Sequence, residues 1–571
     1  MRFLGFIGPE YTLRSKNVDC QRCVNLFPEM DELGTGKAKE VASLQSTPGL
    51  ELLVTLGTSP IRAMWTSSLG VLYVVAGNTL YSVSDTWAAT TLGTLLTSTG
   101  PVSIADNGTT NQSAISSGLT TYTFTASVLT ASLDFGAGYT INGILYTCQA
   151  NYTTSDTSLV FTTPNVVGGP SPYPGSAGTL TLAGGIGPVT ITFIAATFTT
   201  YSTNQVVLVD GEYGYVWDTG TSTFAQITDP GFLGAAQVVY QDTYFIFNQA
   251  GTQQFFLSDQ NATTFSSPQV AAAEANPDAL VAILSSHENL WLFGTQTTEV
   301  WYDSGAADFA FQPVSGAIME VGCCAPFSVA KSNNTVFWLG SDENGIGIAY
   351  MANGYQAQRI STHAVEFAIQ GYGVISDCVA YCYQQDGHSF YVLNFQSAGT
   401  TWVYDATTSL WHERAFTALG QLDRHLAQCH ALAYSTHVVG DYSSGNLYEM
   451  NTTIYTDNGS PITRLRVAPH ITDDLKRMFY STIQLDMETG VGLDGIQQGT
   501  NPQAMLQFSD DGGHSWSNEK WSSFGMIGQR LARCIWRKLG QSRDRVFKIV
   551  ITDPVPVTLI GVEMDVVSGN N

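Results

Sequence analysis

Three observations predict an almost wholly β chain organised as a β-propeller: a recurring hairpin pattern, an abundance of Gly, Thr and Ser, and no long helical periodicity. The pattern is plainest in Leu290-Trp291-Leu292-Phe293-Gly294 followed by Thr298-Glu299-Val300-Trp301-Tyr302, two aromatic and branched runs joined by a short turn. Related hairpins stand near residues 72–81, 243–257, 336–350, 389–405 and 437–448. With Tyr244, Trp291, Phe337, Phe390 and Val438 as equivalent points the steps are 47, 46, 53 and 48 residues, slightly above the pitch of a four-stranded blade. A length of 571 residues implies more than one domain.

Residues 1–60 read as an irregular arm punctuated by Pro28, Pro48 and Pro60, packed along the next domain or reaching to a neighbour. Cys20 and Cys23 resemble half a zinc site. No second Cys pair stands at finger spacing and the first His is His287, so two buried thiols are expected and no metal. Nine scattered Cys argue against a disulfide scaffold and for assembly with reduced thiols. No apolar leader precedes Pro9, and no stretch is long and apolar enough to anchor the chain in a membrane.

The propeller is expected over residues 61–108 and 204–460, with about seven blades, the last at 426–460. Between them, residues 109–203 change texture to Thr/Ser/Gly-rich alternating β, with a turn-dense loop at Gly168-Gly169-Pro170-Ser171-Pro172-Tyr173-Pro174-Gly175. Removing this segment joins Ile104-Ala105-Asp106 to Gln205-Val206-Val207 and leaves a blade of ordinary size, so it reads as an inserted small β domain. The alternative is two further blades of low propensity. From 461 to 571 the pitch breaks and a C-terminal β domain, a sandwich packed on the propeller, is expected.

The formal charge is -24, and its distribution says more than its size. After Arg62 no Lys or Arg occurs until Lys331, whereas residues 451–571 hold 12 of the 23 bases beside 13 of the 47 acids. An acidic propeller repels nucleic-acid phosphates. Such a surface either lines a channel that DNA crosses without sticking or is simply solvated.

Ser509-Asp510-Asp511-Gly512-Gly513-His514-Ser515-Trp516 fits the S-x-D-x-G-x-x-W pattern of an Asp-box turn. Its expected work is structural: Ser509 and Asp511 organise the turn, Gly513 allows positive φ and Trp516 plugs the sheet. Four of the nine His lie between 412 and 437, near Glu413, Arg414, Asp423 and Arg424. Nothing there matches a metal-binding spacing, and loop or edge-strand surface is expected. The one basic cluster, Arg530, Arg533, Arg537, Lys538, Arg543 and Arg545, suits contact with another subunit or with DNA phosphates. Lacking interleaved aromatics, it favours the protein contact. No phosphate loop, nucleophile elbow or dinucleotide fingerprint stands in proper context, so neither catalytic residues nor a cofactor are expected. A propeller glycosidase would need converging carboxylates and Arg residues, which the spacing does not suggest. A receptor- or glycan-binding module, with Tyr173 and other insert tyrosines stacking on sugars, stays open beside the channel reading.

Gly5-Phe6-Ile7-Gly8-Pro9, Val24-Asn25-Leu26-Phe27-Pro28-Glu29 and Thr47-Pro48-Gly49-Leu50, with later motifs such as Val209-Asp210-Gly211 and Gly440-Asp441-Tyr442-Ser443-Ser444-Gly445, together carry a family resemblance. In their order and spacing the chain resembles the tail accessory proteins of short-tailed bacteriophages, the packaged-DNA stabilisation family also called tail hub or nozzle proteins. The resemblance covers most of the chain except residues 109–203. It implies a non-enzymatic virion tail component, assembled in the host cytoplasm. Six copies would form a ring below the portal and its adaptor, extending the double-stranded DNA channel and holding the genome until ejection. It also implies docking sites for tail fibres or a tail needle.

Overall fold

The computed structural model describes residues 3, 5–31, 42–107 and 205–569 apart from 266–268, 274–275, 307–308, 333, 343–344 and 419. Between 107 and 205 it describes the backbone of six strands. The Gly168 to Gly175 loop with Tyr173 lies outside the described residues.

Seven antiparallel blades form a ring whose innermost strands are Ile61–Thr66, Ser103–Asp106, Val238–Gln241, Leu280–Ser286, Ala330–Ser332, Val379–Gln385 and Ala427–Ala433. Period-two alternation produces the ring, because each strand sends alternate side chains to opposite neighbours. On Leu72–Ala76, Leu72, Val74 and Ala76 pack with Val438 and Leu447 of the seventh blade, whereas Tyr73 and Val75 pack with Val206 and Leu208 of the second. Likewise Phe245 and Phe247 face the second blade, while Tyr244 and Ile246 face Leu290 and Leu292 of the fourth. Trp291 and Phe293 then meet Trp338 of the fifth. Strands covered on both faces explain the near-continuous apolar runs in the sequence.

The ring closes in a way that the sequence pattern does not suggest. Residues 426–460 supply three strands of the seventh blade, and the fourth is Gly49–Thr55, from the stretch expected as arm, antiparallel to Asn446–Asn451 with Leu50 opposite Met450. The second blade opens at its first hairpin. Ser103–Asp106 pairs directly with Gln205–Val209, Asp106 opposite Val206, and the Asn107 side chain accepts from the Gln205 N–H at 2.7 Å. Six strands between Leu119 and Thr199 form a separate closed barrel emerging from that hairpin.

The C-terminal sandwich stacks two sheets. Met478–Met487, Cys534–Ser542 and Thr558–Ser568 are extended by Leu26–Met30 and Ala42–Ser46, and the facing sheet holds Arg464–Val467, Gln503–Ser509, Lys520–Ser523 and Asp544–Ile551. Ile483, Leu485, Leu506, Trp536, Phe547 and Ile549 fill the space between.

The arm is therefore ordered within its own chain. Cys20–Val24 lies parallel to blade six, Val24 opposite Glu413, and antiparallel to Arg464–Val467, Cys23 opposite Arg466, so one sheet runs from propeller into sandwich. Asn25, at φ 55, turns the chain out of this strand. Its amide donates to the carbonyls of Ala415 and Thr463, both at 2.8 Å, and its oxygen accepts from the Ala415 N–H at 2.9 Å. Asn is one of the few L residues that tolerate this conformation. Arg466 is fully buried and donates to Phe6 O at 2.7 Å, Pro9 O at 2.8 Å and Gln21 Oε1 at 2.6 Å. Arg22 forms a two-pronged ion pair with Glu413 at 3.0 and 2.6 Å. The Cys23 N–H donates to Glu10 Oε2 at 2.6 Å. Cys20 and Cys23 are buried free thiols, and among the described residues no group of three or more His, Cys, Asp or Glu is placed to hold a metal.

Arg466→Met should lower stability by about 3–5 kcal/mol, since it leaves the arm's buried carbonyls without a donor. Denaturant unfolding measures the loss, and limited proteolysis should then cleave within residues 1–25. Glu10 gives a pH dependence. Burial, reinforced by nearby Glu413, pushes its carboxyl up from 4.5 to about 8. Between these values the folded state holds the proton and the unfolded chain has released it, so stability falls as pH rises from about 4.5 to about 8. Glu10→Gln should flatten that slope in urea midpoints taken across the range.

Candidate functional site

The Asp-box turn links Gln503–Ser509 to Lys520–Ser523. Asp511 Oδ1 accepts from Ser509 Oγ at 2.6 Å and from the N–H groups of His514 and Ser515 at 3.0 and 2.9 Å. The Ser509 hydroxyl first, then that of Ser515 and these N–H groups, hold its carboxyl well below the usual carboxylate range. Gly512 and Gly513 have φ 72 and 85. A Cβ on Gly513 would meet Cys20 Sγ at 3.1 Å, and one on Gly512 would strike the Asn17 side chain. The turn is thus a seat for the arm. Trp516 is half-buried, with the Lys548 ammonium 4.3 Å from its ring centre.

The basic cluster divides. Arg545 is a correction to the expected surface group: it is 2% exposed, donates to Leu539 O at 2.6 Å and to Asp510 at 2.6 and 2.7 Å, and lies over the Phe508 and Tyr480 rings. Period-two alternation on Asp544–Ile551 turns it inward. Arg543 bonds the Leu475 carbonyl. Arg530, Arg533, Arg537 and Lys538 are exposed, with Arg533 bonded to Gln484 and Arg530 4.0 Å from Glu488.

These four bases share one side of the sandwich with a feature the sequence reading missed. Lys520–Ser523 and Cys534–Ser542 are the edge strands of the two sheets on that side, tied by Ser522 and Ile535, and the loop between them is solvent-facing. Trp521, Met526, Ile527 and Leu531 are 56%, 42%, 62% and 95% exposed there, and the facing loop adds the fully exposed Ile496. Trp, Met and Arg gathered in one exposed place match the composition of protein interfaces. The signal available in the sequence was apolar residues interleaved with bases outside any blade pattern.

The propeller axis holds a cavity of about 370 Å³ lined by all seven innermost strands, including Trp65, Tyr240, Lys331, Tyr381 and His430. That is a small-molecule volume. It is no passage for duplex DNA, whose major groove alone is about 12 Å wide.

The His-rich stretch is also a correction. His412, Arg414, Arg424 and His425 are 1%, 1%, 4% and 2% exposed, because Leu410–Ala418 is covered by the arm and Ala427–Ala433 by its neighbours, so the region is a seam rather than surface.

Two substitutions separate inner from outer bases. Arg545→Met should cost about 2–3 kcal/mol through the orphaned Leu539 carbonyl and lost ring contacts, the half-exposed Asp510 pair contributing little. Arg533→Ala should stay within about 0.5 kcal/mol. Denaturant midpoints of the two variants check the contrast.

Among solved structures the chain is similar to the N-terminal domain of Nup159, at 7% identity and TM-score 0.33, over 75% of this chain and 99% of that one. It is also similar to the Pan2 WD40 domain of Neurospora crassa, at 8% identity and TM-score 0.29, over 58% and 89% of the two chains. An exo-β-1,3-galactanase from Phanerochaete chrysosporium matches at 9% identity and TM-score 0.23, over 63% and 93%. Scores this low bear on no functional argument. No curated protein matches the sequence. The family model of the bacteriophage P22 Gp10 β-propeller matches residues 16–164 and 172–455, and that of the Gp10 β-sandwich matches residues 463–567. With propeller and sandwich both matched across most of its length, the chain belongs to the bacteriophage P22 Gp10 family, and is a structural protein of the phage tail rather than an enzyme.

Proposed function

We propose that copies of this chain form a ring, a hexamer below the portal and adaptor, whose propellers wall the DNA channel. In this reading the ring retains packaged DNA, conducts it during ejection and gives docking surfaces to the adaptor and to a fibre or needle. The observation that carries the reading is the separation of charge: residues 63–330 contain no Lys or Arg, while an exposed sandwich edge presents Arg530, Arg533, Arg537 and Lys538 beside Trp521 and Leu531. An acidic propeller and a basic, apolar edge are complementary surfaces on different domains. Repeated from copy to copy, a heterologous contact of this kind closes a ring when the rotation allows. The narrow propeller axis supports a channel between copies rather than through each one. Acidic walls would then repel phosphates and let DNA slide.

Native mass spectrometry and cryo-electron microscopy of particles test this. A sixfold ring on the tail axis is expected, with the 521–538 edge seated against a neighbouring propeller. The triple variant Arg533→Glu, Arg537→Glu, Lys538→Glu should keep its melting temperature while losing self-association by at least tenfold. Peripheral single copies on the particle, or a ring untouched by charge reversal, would overturn the reading.

A further inference from the structure

The axial cavity of the propeller is a hollow that a channel running between copies does not use. Its walls are the innermost strands, whose free edges present backbone N–H and C=O groups to the axis. At one end side chains cover those groups. The Gln237 side chain accepts from the Ile283 N–H at 2.8 Å and donates to the Pro326 carbonyl at 2.7 Å, and the Ser103 hydroxyl accepts from the Val238 N–H at 3.1 Å. Gln237 and Arg62 are buried there, whereas Trp65 and Lys331, toward the C-terminal ends of their strands, are exposed. The space of about 370 Å³ therefore has a covered floor and an open mouth.

The lining separates into an apolar wall and one unspent charge. Val239, Leu284 and Val329 contribute the wall, with the Trp65 and Tyr240 rings beside them. Besides the tyrosines and Cys429, the lining residues that can carry charge are Arg62, Asp106, His430 and Lys331. Arg62 spends its guanidinium on the carbonyls of Gly77, Thr97, Thr99 and Gly100. Asp106 accepts from Trp65 Nε1 at 2.6 Å and from the Ser68 hydroxyl at 2.5 Å. His430 is hydrogen-bonded through Nε2 to His437 Nδ1 at 3.0 Å, and burial, then His437, lowers its imidazole to about 3, so the ring is neutral. Lys331 remains. Its ammonium carries three N–H bonds and donates to one acceptor, Ser285 O at 3.1 Å. Among the described residues no carboxylate pairs with it, and burial alone lowers its pKa. A side chain that keeps accessible surface and is nonetheless desolvated faces a confined hollow instead of bulk water. An ammonium in such a place gains from an anion that replaces its lost hydration.

We infer that the propeller axis is a binding site for a small aromatic monocarboxylate, its ring against the Trp65 and Tyr240 side chains and its carboxylate on the Lys331 ammonium. The volume suits a two-ring acid. A chain of charge -24 repels polyanions such as nucleotides, which leaves a single negative charge as the one the site accepts. The site lies within one chain and does not depend on a ring of copies. Sodium 2-naphthoate is the probe, with 2-naphthamide as its uncharged isostere. Calorimetric titration of the full chain should show one site per chain for naphthoate, bound about tenfold or more tightly than the amide, and saturating naphthoate should raise the melting temperature. Lys331→Met keeps an aliphatic stem and should weaken naphthoate binding about tenfold or more, while the unliganded variant melts within about 2 °C of the parent chain. Trp521→Ser, on the exposed sandwich edge, should leave binding unchanged. No binding at about 1 mM naphthoate, equal affinity for acid and amide, affinity unchanged by Lys331→Met, or binding lost in Trp521→Ser would overturn the inference.

Discussion

Five residues, Cys20–Val24, hold the two large domains in one sheet. An exposed sheet edge presents unpaired N–H and C=O groups, which attract the wrong partners unless covered. Blade six and the first sandwich strand each offer such an edge, and one arm strand covers both, parallel on one side and antiparallel on the other. The buried charge of Arg466 depends on the same segment, because its acceptors are the arm's Phe6 and Pro9 carbonyls and the Gln21 side chain. Neither domain is complete without residues hundreds of positions away. The seventh blade repeats the dependence through Gly49–Thr55, so the N-terminal 55 residues close the ring and fasten the sandwich. Closing such distant contacts is entropically slow.

That dependence explains what the sequence showed and what it hid. Blades were legible because strands such as Leu72–Ala76 and Tyr244–Asn248 are packed on both faces and repeat near 48 residues, a local signal on a regular step. The arm strands were not legible. Cys20–Val24 carries Gln21 and Arg22, and Leu26–Met30 contains Pro28, so propensity reads both as irregular. Cys20–Val24 owes its strand character to partners about 390 to 445 residues distant, and Leu26–Met30 pairs with Ala42–Ser46, which is itself held by Thr558–Ser568 about 515 residues on, so no window of sequence contains the whole of that information.

Charge misled in a related way. His412, Arg414, Arg424 and Arg545 read as surface because charged residues usually are, and only the covering arm and the ring faces of Tyr480 and Phe508 make their burial tolerable. Conversely, the exposed Trp521, Ile527 and Leu531 read as unremarkable members of a β domain. Of the six bases expected to form one contact, four share the exposed edge, one serves a loop carbonyl and one belongs to the interior. The Asp-box residues were legible as a turn because the pattern encodes its own hydrogen bonds. That the turn seats Asn17 and Cys20 was not, since the seat is made by the distant arm.

The buried charges gain a purpose in the proposed role of a channel wall. A protein that lines a channel under load needs a fixed angle between its domains, and apolar packing alone tolerates small slips because many registers bury similar area. Charged staples do not. A one-residue slip of Cys20–Val24 against Arg464–Val467 would turn Arg466 from its carbonyl cage and expose Cys23, and it would move Arg464 away from Asp457. Every alternative register strands a charge, and stranding one costs far more than losing a methyl contact. The seam therefore trades some attainable stability for a single geometry, the property on which the proposed ring would depend.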